Sequence, residues 1–287
     1  MIKISDVRMI IGDSAFLIDD GETSVLYDSG FGFTGSEIAN NIKKELNGRN
    51  LDYIFLTHSH YDHALGSANV LKAYPDAKVV AGEYCATIFT KPRAKAVMRD
   101  LDLKFAKKCG VDDHEDLTDC LRVDITVCDG DIIKAGNMEF RAIALPGHTK
   151  CSFGFYLESE KLLLSSETLG VYDGEDNIIP SFLVGYRMTL DSIEKARALD
   201  IEKLLIPHFG LMDKERTAYY LENAKKSAVQ ICRDIAYILK YSESKESAME
   251  YLKNKFYRGK IIDAYPIDAF ILNTSIMIDL REKEILS

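Results

Sequence analysis

The stretch Thr57-His58-Ser59-His60-Tyr61-Asp62-His63 decides the reading of this 287-residue chain. It lies between an apolar run, Asp52 to Thr57, and a helix-like run, Gly66 to Tyr74, that stops at Pro75. The apolar run is short and almost unbroken, as in a strand covered on both faces. Alternation in an extended or turning backbone sets His58 and His60 on a common side. Asp62 and His63, at the helix entry, point elsewhere. Three imidazoles and a carboxylate form a borderline donor set that suits Zn, Fe, Mn or Co, and the split in direction suits two adjacent ions better than one.

More ligands must come from a distance. His148 in Leu145-Pro-Gly-His148-Thr149, Glu167 in Leu164-Ser165-Ser166-Glu167-Thr168 and His208 in Leu205-Ile-Pro-His208 each follow an apolar strand, where a loop presents side chains to a common site. Five of the six histidines fall in these places. The sixth, His114, sits in the charged run 112–116 and is expected to be exposed.

Outward from these anchors, Ser14–Ile18 and Ser24–Asp28 read as hairpin-linked strands around Asp19-Asp20-Gly21-Glu22. Glu37–Leu46 has helical spacing and ends at Asn47-Gly48. Glu83 to about Asp119 is long, charged and helix-prone, is broken at Pro92, and reads as an insertion over the scaffold. Strand patterns return at Arg122–Val127, Ile132–Lys134, Met138–Leu145, Ser152–Leu157, Lys161–Ser165 and Lys203–Ile206. Helices are expected at Thr189–Leu199, Lys214–Tyr241, Lys245–Phe256 and Pro266–Glu284. Two sheets with helices outside satisfy this order.

Composition narrows the partners. The chain carries 36 Lys+Arg against 45 Asp+Glu, a formal charge of −9, with 47% hydrophobic and 28% charged residues. That is an ordinary globular balance. The acidic excess argues against nucleic acid; Lys91–Lys95 and Lys104–Lys108 read as solvated helix faces. No run of about eighteen apolar residues exists, so no membrane partner is expected. The six cysteines form no CxxC pair and the N-terminus carries no signal-peptide pattern, so free thiols and a cytoplasmic location are expected.

His58, His60, Asp62 and His63 match the HxHxDH signature of the metallo-β-lactamase-fold metal-dependent hydrolase superfamily, and the chain resembles a glyoxalase-II- or lactonase-like member with a helical C-terminal extension. Gly147-His148-Thr149 matches its GHT motif, Leu26-Tyr27-Asp28-Ser29-Gly30 its early acidic strand end, and His208 its last histidine. The resemblance implies an α/β fold: an αββα sandwich over residues 1–212, with a helical insertion at about 83–119. A helical extension, 213–287, would pack on the core or form a dimer or lid. It implies that His58, His60 and His148 hold one metal and Asp62, His63 and His208 a second. Glu167 stands where a bridging Asp is usual, and being one methylene longer it bridges only if the backbone withdraws. Lys150-Cys151 replaces a usual Pro-Gly, and Cys151 is expected to be a packed thiol.

The expected cofactors are two divalent metal ions, zinc first, with iron or manganese as alternatives. The expected chemistry is attack by a metal-bridging hydroxide on an ester-like bond, thioester or lactone, of a small anionic substrate. Two divalent ions less Asp62, Glu167 and hydroxide leave about +1, so the centre attracts anions despite the acidic chain. Asp62 is expected to orient the hydroxide and shuttle a proton, and Tyr172 to lean over the metals. A homodimer is one expected arrangement. Two rivals stand beside the hydrolase: an iron-dependent redox enzyme of the same fold, acting on oxygen, nitric oxide or persulfides, and a catalytically silent ligand-binding regulator.

Overall fold

The computed structural model describes residues 2–286 apart from 173, 175, 176 and 243. The first sheet contains β1 (Lys3–Asp6), β2 (Phe16–Asp19), β3 (Ser24–Tyr27), β4 (Tyr53–Phe55), β5 (Lys78–Gly82) and β6 (Ile125–Val127), paired in that order. β1, β2 and β3 form an antiparallel meander, whereas β3 to β6 are parallel neighbours. Parallel neighbours need long crossovers, and helices fill them. These are α1 (Gly35–Leu46), then α2 (Tyr61–Ala64) with α3 (Gly66–Ala73), then α4 (Glu83–Phe89) with α5 (Pro92–Lys108). The segment 83–119 is therefore the β5–β6 crossover itself. Its Phe89, Met98 and Ala106 are buried in the core, and the charges that suggest an insertion are its outer face.

The second sheet begins as a meander of β7 (Ile132–Ala135), β8 (Met138–Ala144), β9 (Phe153–Leu157) and β10 (Leu162–Leu164). The short strands β11 (Val171–Tyr172) and β12 (Ile178–Ile179) form a separate ribbon, and α6 (Tyr186–Arg197) leads back to β13 (Lys203–Ile206) and β14 (Gly210–Met212). β13 pairs parallel with β10, giving the order β14-β13-β10-β9-β8-β7.

The side-chain period of two divides each strand between two cores. Val25 and Tyr27 of β3 face the second sheet, while Leu26 faces the outer helices. Leu162, Leu164 and Leu205 face the first sheet, while Leu163 and Leu204 face α6. Between the sheets, the Phe55 ring meets Phe155 at 4.6 Å and Phe140 at 5.1 Å. Burying each such side chain contributes about 1.5–3 kcal/mol. The result is an αββα sandwich.

The C-terminal extension comprises α7 (Lys214–Ser242), α8 (Lys245–Phe256), α9 (Ile261–Ala264) and α10 (Ile267–Leu286). Tyr220, Ala224 and Ala228, four residues apart on one face of α7, pack on the second sheet. One turn further, Ile231 and Ile235 join a separate cluster with Phe182, Leu252, Phe256 and Phe270. The extension thus lies on the core of its own chain, and an ion pair of 2.6 Å between Lys108 and Asp268 links α5 to α10. Among the described residues, no helix is long and apolar enough to cross a membrane.

β8, β10 and β13 run in one direction, so their C-terminal ends open on one edge of the sandwich. The loops after them carry His148, Glu167 and His208, and the loop after β4 carries the histidine-rich stretch.

Candidate metal centre

Seven side chains from four loops converge at this edge. His58, His60, His148 and Glu167 bring ligand atoms within 4.8 Å of one another, and so do Asp62, His63 and His208. Glu167 sits between the groups. Its Oε2 is 2.9 Å from His148 Nε2 and 3.7 Å from both His58 Nε2 and His63 Nε2. Its Oε1 is 3.3 Å from His208 Nε2. Asp62 Oδ2 lies 3.7 Å from the Nε2 atoms of His63 and His208. The Glu167 carboxylate thus lies in the centre, with Oε2 near histidines of both groups and Oε1 near His208.

The imidazoles are aimed by groups behind them. His63 Nδ1–H donates to Asp28 Oδ2 at 2.8 Å, His148 Nδ1–H to Ser181 Oγ at 2.7 Å and His208 Nδ1–H to the Gly12 carbonyl at 2.8 Å. His58 Nδ1 meets Thr57 Oγ1 at 3.0 Å, and that hydroxyl donates onward to Asp28 Oδ1 at 3.0 Å. One fully buried carboxylate, Asp28, therefore orients two histidines of different groups. Such contacts fix the tautomer and turn the Nε2 lone pairs inward. The Nε2 atoms of His58 and His63 are buried and have no hydrogen-bond partner in the protein. An orphaned buried nitrogen is costly, and two of them facing a carboxylate fit metal ligation. Nitrogen and carboxylate oxygen together are donors for a borderline divalent ion.

Backbone geometry serves the same convergence. Asp28 and His208 adopt left-handed φ values of 52° and 62°, a region where Asp and His are over-represented among non-glycine residues. The strained His208 turn is fastened at its carbonyl by Arg8 Nη1, while Asp6 grips the same guanidinium at 2.6 and 2.8 Å. Gly66, which begins α3, comes so close to the Ser29 carbonyl that a Cβ would lie 1.9 Å from it. A side chain there would push the histidine-bearing turn away from β3 and Asp28.

Electrostatics already suit a cation. Burial, reinforced by neighbouring imidazoles, holds His58 and His60 well below the ordinary histidine range. Burial opposes the charge on Glu167, but the His148 imidazole 2.9 Å away, with His208 beside it, overrides it, so its carboxyl lies well below the usual range. Burial likewise opposes the charge on His63, but Asp62 and Asp28 override it and raise that imidazole. Metal uptake must displace such protons.

A cavity of about 230 Å³ opens beside the Asp62–His208 side. Tyr172 lines it, with its ring edge-on to Phe209 at 4.6 Å. Arg8, Lys260, Ile261 and Tyr265 line it as well. Arg8 and the 260–266 stretch carry no spacing signal in the sequence, and neither do Ser181 and Gly12. Cys151 is buried away from this cavity, donating to Ser59 Oγ at 3.4 Å, and its contact with Cys85 draws its thiol down to about 6.

The structure corrects a second expectation outside the site. His114 is not exposed: its side chain is 12% accessible, and Nε2 lies 2.9 Å from Oδ2 of buried Asp102. Asp102 Oδ1 in turn accepts the Gly32 N–H at 2.8 Å, tying α5 to the loop after β3. The charged neighbours of His114 conceal this partner twelve residues upstream.

The sequence matches a family model described as the metallo-beta-lactamase superfamily over residues 12–208. A hydroxyacylglutathione hydrolase from Bradyrhizobium is 27% identical over 54% of this chain and 47% of its own length. The chain thus spans about half the length of that curated relative. Among solved structures, a metallo-beta-lactamase family protein from Thermus thermophilus superposes with a TM-score of 0.63 at 20% identity, covering 94% of this chain and 88% of that one. An archaeal metallo-beta-lactamase superfamily protein from Sulfolobus tokodaii gives 0.60 at 19% identity, over 97% and 98%.

Proposed function

The chain belongs to the metallo-beta-lactamase superfamily, and from that premise we propose that it is a hydrolase carrying two divalent ions, zinc first, that cleaves a thioester or lactone of a small anionic substrate. The observation that carries this reading is Glu167, whose carboxylate lies among histidines of both groups beside a cavity of about 230 Å³. His58, His60 and His148 would hold one ion and Asp62, His63 and His208 the other, with Glu167 between them. When bound, the ions supply Lewis acidity and lower the pKa of a coordinated water toward 7.

The chain's own groups do the rest. Asp28 and Ser181 fix imidazole tautomers so that each Nε2 faces the centre. Asp62, open to the cavity, is placed to accept the proton of the attacking water and pass it to the leaving group. Arg8, ion-paired with Asp6, and Lys260 line the cavity beside the metal ligands, and the bound ions would supply the positive field that suits an anionic substrate. Tyr172 forms a wall over the substrate from its contact with Phe209. The cavity is smaller than pockets that engulf a drug-sized ligand, so it favours a small acyl group. Likeness to a relative named for hydrolysing hydroxyacylglutathione, an acyl thioester, supports the thioester side of this choice.

The test is metal analysis of purified chain, followed by a panel of thioesters, lactones and phosphodiesters with the zinc-, iron- and manganese-loaded protein. Hydrolysis of a thioester or lactone by zinc-loaded protein supports the reading. Failure on the whole panel contradicts it, and two irons with turnover of oxygen, nitric oxide or a persulfide would move the chain to the redox class.

A further inference from the structure

The C-terminal extension contributes a polar group to the metal-side cavity, and the proposed chemistry above does not use it. Tyr265, between α9 and α10, lines the cavity together with Asp62 and His208. Its backbone is anchored twice: its N–H donates to the Ile261 carbonyl at 2.8 Å, and its carbonyl accepts from the Tyr257 hydroxyl at 3.0 Å. Its hydroxyl oxygen accepts a hydrogen bond of 2.6 Å from Asn273 Nδ2, one side chain of α10. A phenol hydroxyl has one proton to give. With Asn273 on an acceptor lone pair, that proton remains available to another oxygen. Burial, and then the negative charges of Glu167 and Asp62, push the phenol above its ordinary value, so it stays a donor at neutral pH. Tyr172 differs, because its ring is wedged edge-on between Phe209 and Tyr220.

Resting on the hydrolase reading, we propose that Tyr265 donates a hydrogen bond to the acyl oxygen of the substrate and that Asn273 positions it by occupying the opposite face of the hydroxyl. A donor aimed at an oxygen that gains charge during acyl transfer stabilises that charge more than it stabilises the ground state. The extension is then part of the site. It supplies a hydrogen bond that a chain ending near residue 212 would lack.

The test uses the full zinc-loaded chain and the Tyr265→Phe and Asn273→Asp variants. Aspartate at 273 offers only acceptors, so it captures the Tyr265 proton. Both variants are expected to keep wild-type zinc content, lose about 100-fold in kcat and change KM by less than about threefold. The double variant is expected to lose little more than either single one, because both remove the same hydrogen bond. Retention of wild-type kcat by Tyr265→Phe overturns the proposal. So does retention by Asn273→Asp alone, which would mean that Tyr265 already spends its proton on Asn273. A second readout does not require turnover: binding of mercaptoacetate, whose thiolate would take the metals and whose carboxylate would, on this proposal, accept from Tyr265. Its affinity is expected to fall about tenfold in Tyr265→Phe, equivalent to one modest hydrogen bond. An unchanged affinity overturns the placement. Wild-type protein that binds mercaptoacetate but cleaves no thioester or lactone refutes the hydrolase reading separately, leaving the affinity ratio to decide whether Tyr265 reaches into the site.

Discussion

The two ligand groups differ in what surrounds them. His58 and His148 have no exposed side-chain surface and Glu167 only 6%, with His60 partly exposed, whereas Asp62 and His208 are 15% and 12% accessible and face the cavity, with only His63 of that group fully buried. The closed group is built from loops locked by Thr57 and Ser181, and Asp28 holds both groups, through Thr57 on one side and His63 on the other. The open group depends on a strained His208 turn held by Arg8 and Gly12 of the N-terminal segment. A closed set of donors favours retention of an ion, and an open one favours exchange with water and substrate. The division gives one side of the centre a holding role and the other a reacting role.

The largest expected effect separates these sides directly. His148→Ala should strip the ion of the closed group and lower hydrolysis by at least about 100-fold, beyond the cost of losing a supporting contact. His208→Ala should leave one tightly held ion per chain while hydrolysis falls by a similar factor. Elemental analysis after dialysis distinguishes the two, and equal losses of metal would erase the comparison. Asp28→Asn comes next. Its amide cannot accept from His63, Thr57 and Ser14 together as the carboxylate does. Both groups should therefore weaken, by roughly 10–100-fold in metal affinity measured by chelator competition. Glu167→Asp should act more narrowly. Withdrawing the carboxylate by one methylene should spare the closed group and weaken the open-group ion by roughly tenfold. A large gain in hydrolysis would instead mean that the glutamate tunes the centre away from that reaction.

The smallest effect on metal binding serves as a control. Burial comes first in raising the Asp102 carboxyl from 3.8 to about 6. A carboxyl raised in the folded state contributes stability below its unfolded pKa, and that contribution is lost as pH rises through the folded value. Two pKa units correspond to about 3 kcal/mol. Stability should therefore fall by up to that amount between roughly pH 4 and 6.5, and this slope should flatten in Asp102→Asn with metal content unchanged. Chemical denaturation at several pH values reads the slope.

The histidine-rich stretch is legible in the sequence because one continuous stretch, the loop after β4 and the short helix α2, carries four of the seven side chains. His148, Glu167 and His208 are legible for a related reason, since each follows an apolar strand and strand ends gather at one sheet edge. Most helices are legible from their spacing, and α8 falls at Lys245–Phe256 as the pattern expects. The two- and three-residue strands β11, β12 and β14 are too short to show a period. Ser181, Gly12, Arg8 and Tyr265 carry no local signal. Tertiary packing of the N-terminal segment, the β12–α6 connection and the extension brings them to the site. His114 misleads for the opposite reason: its sequence neighbours are charged, but α5 packs inward and brings Asp102 to it.

Anomalous diffraction from a crystal of the zinc-loaded chain, at and below the zinc edge, tests the central claim most directly. The account predicts two zinc peaks about 3.5–4 Å apart, one against His58, His60 and His148 and the other against Asp62, His63 and His208, with the Glu167 carboxylate between them. A single peak, or Glu167 turned away from both ions, would contradict it.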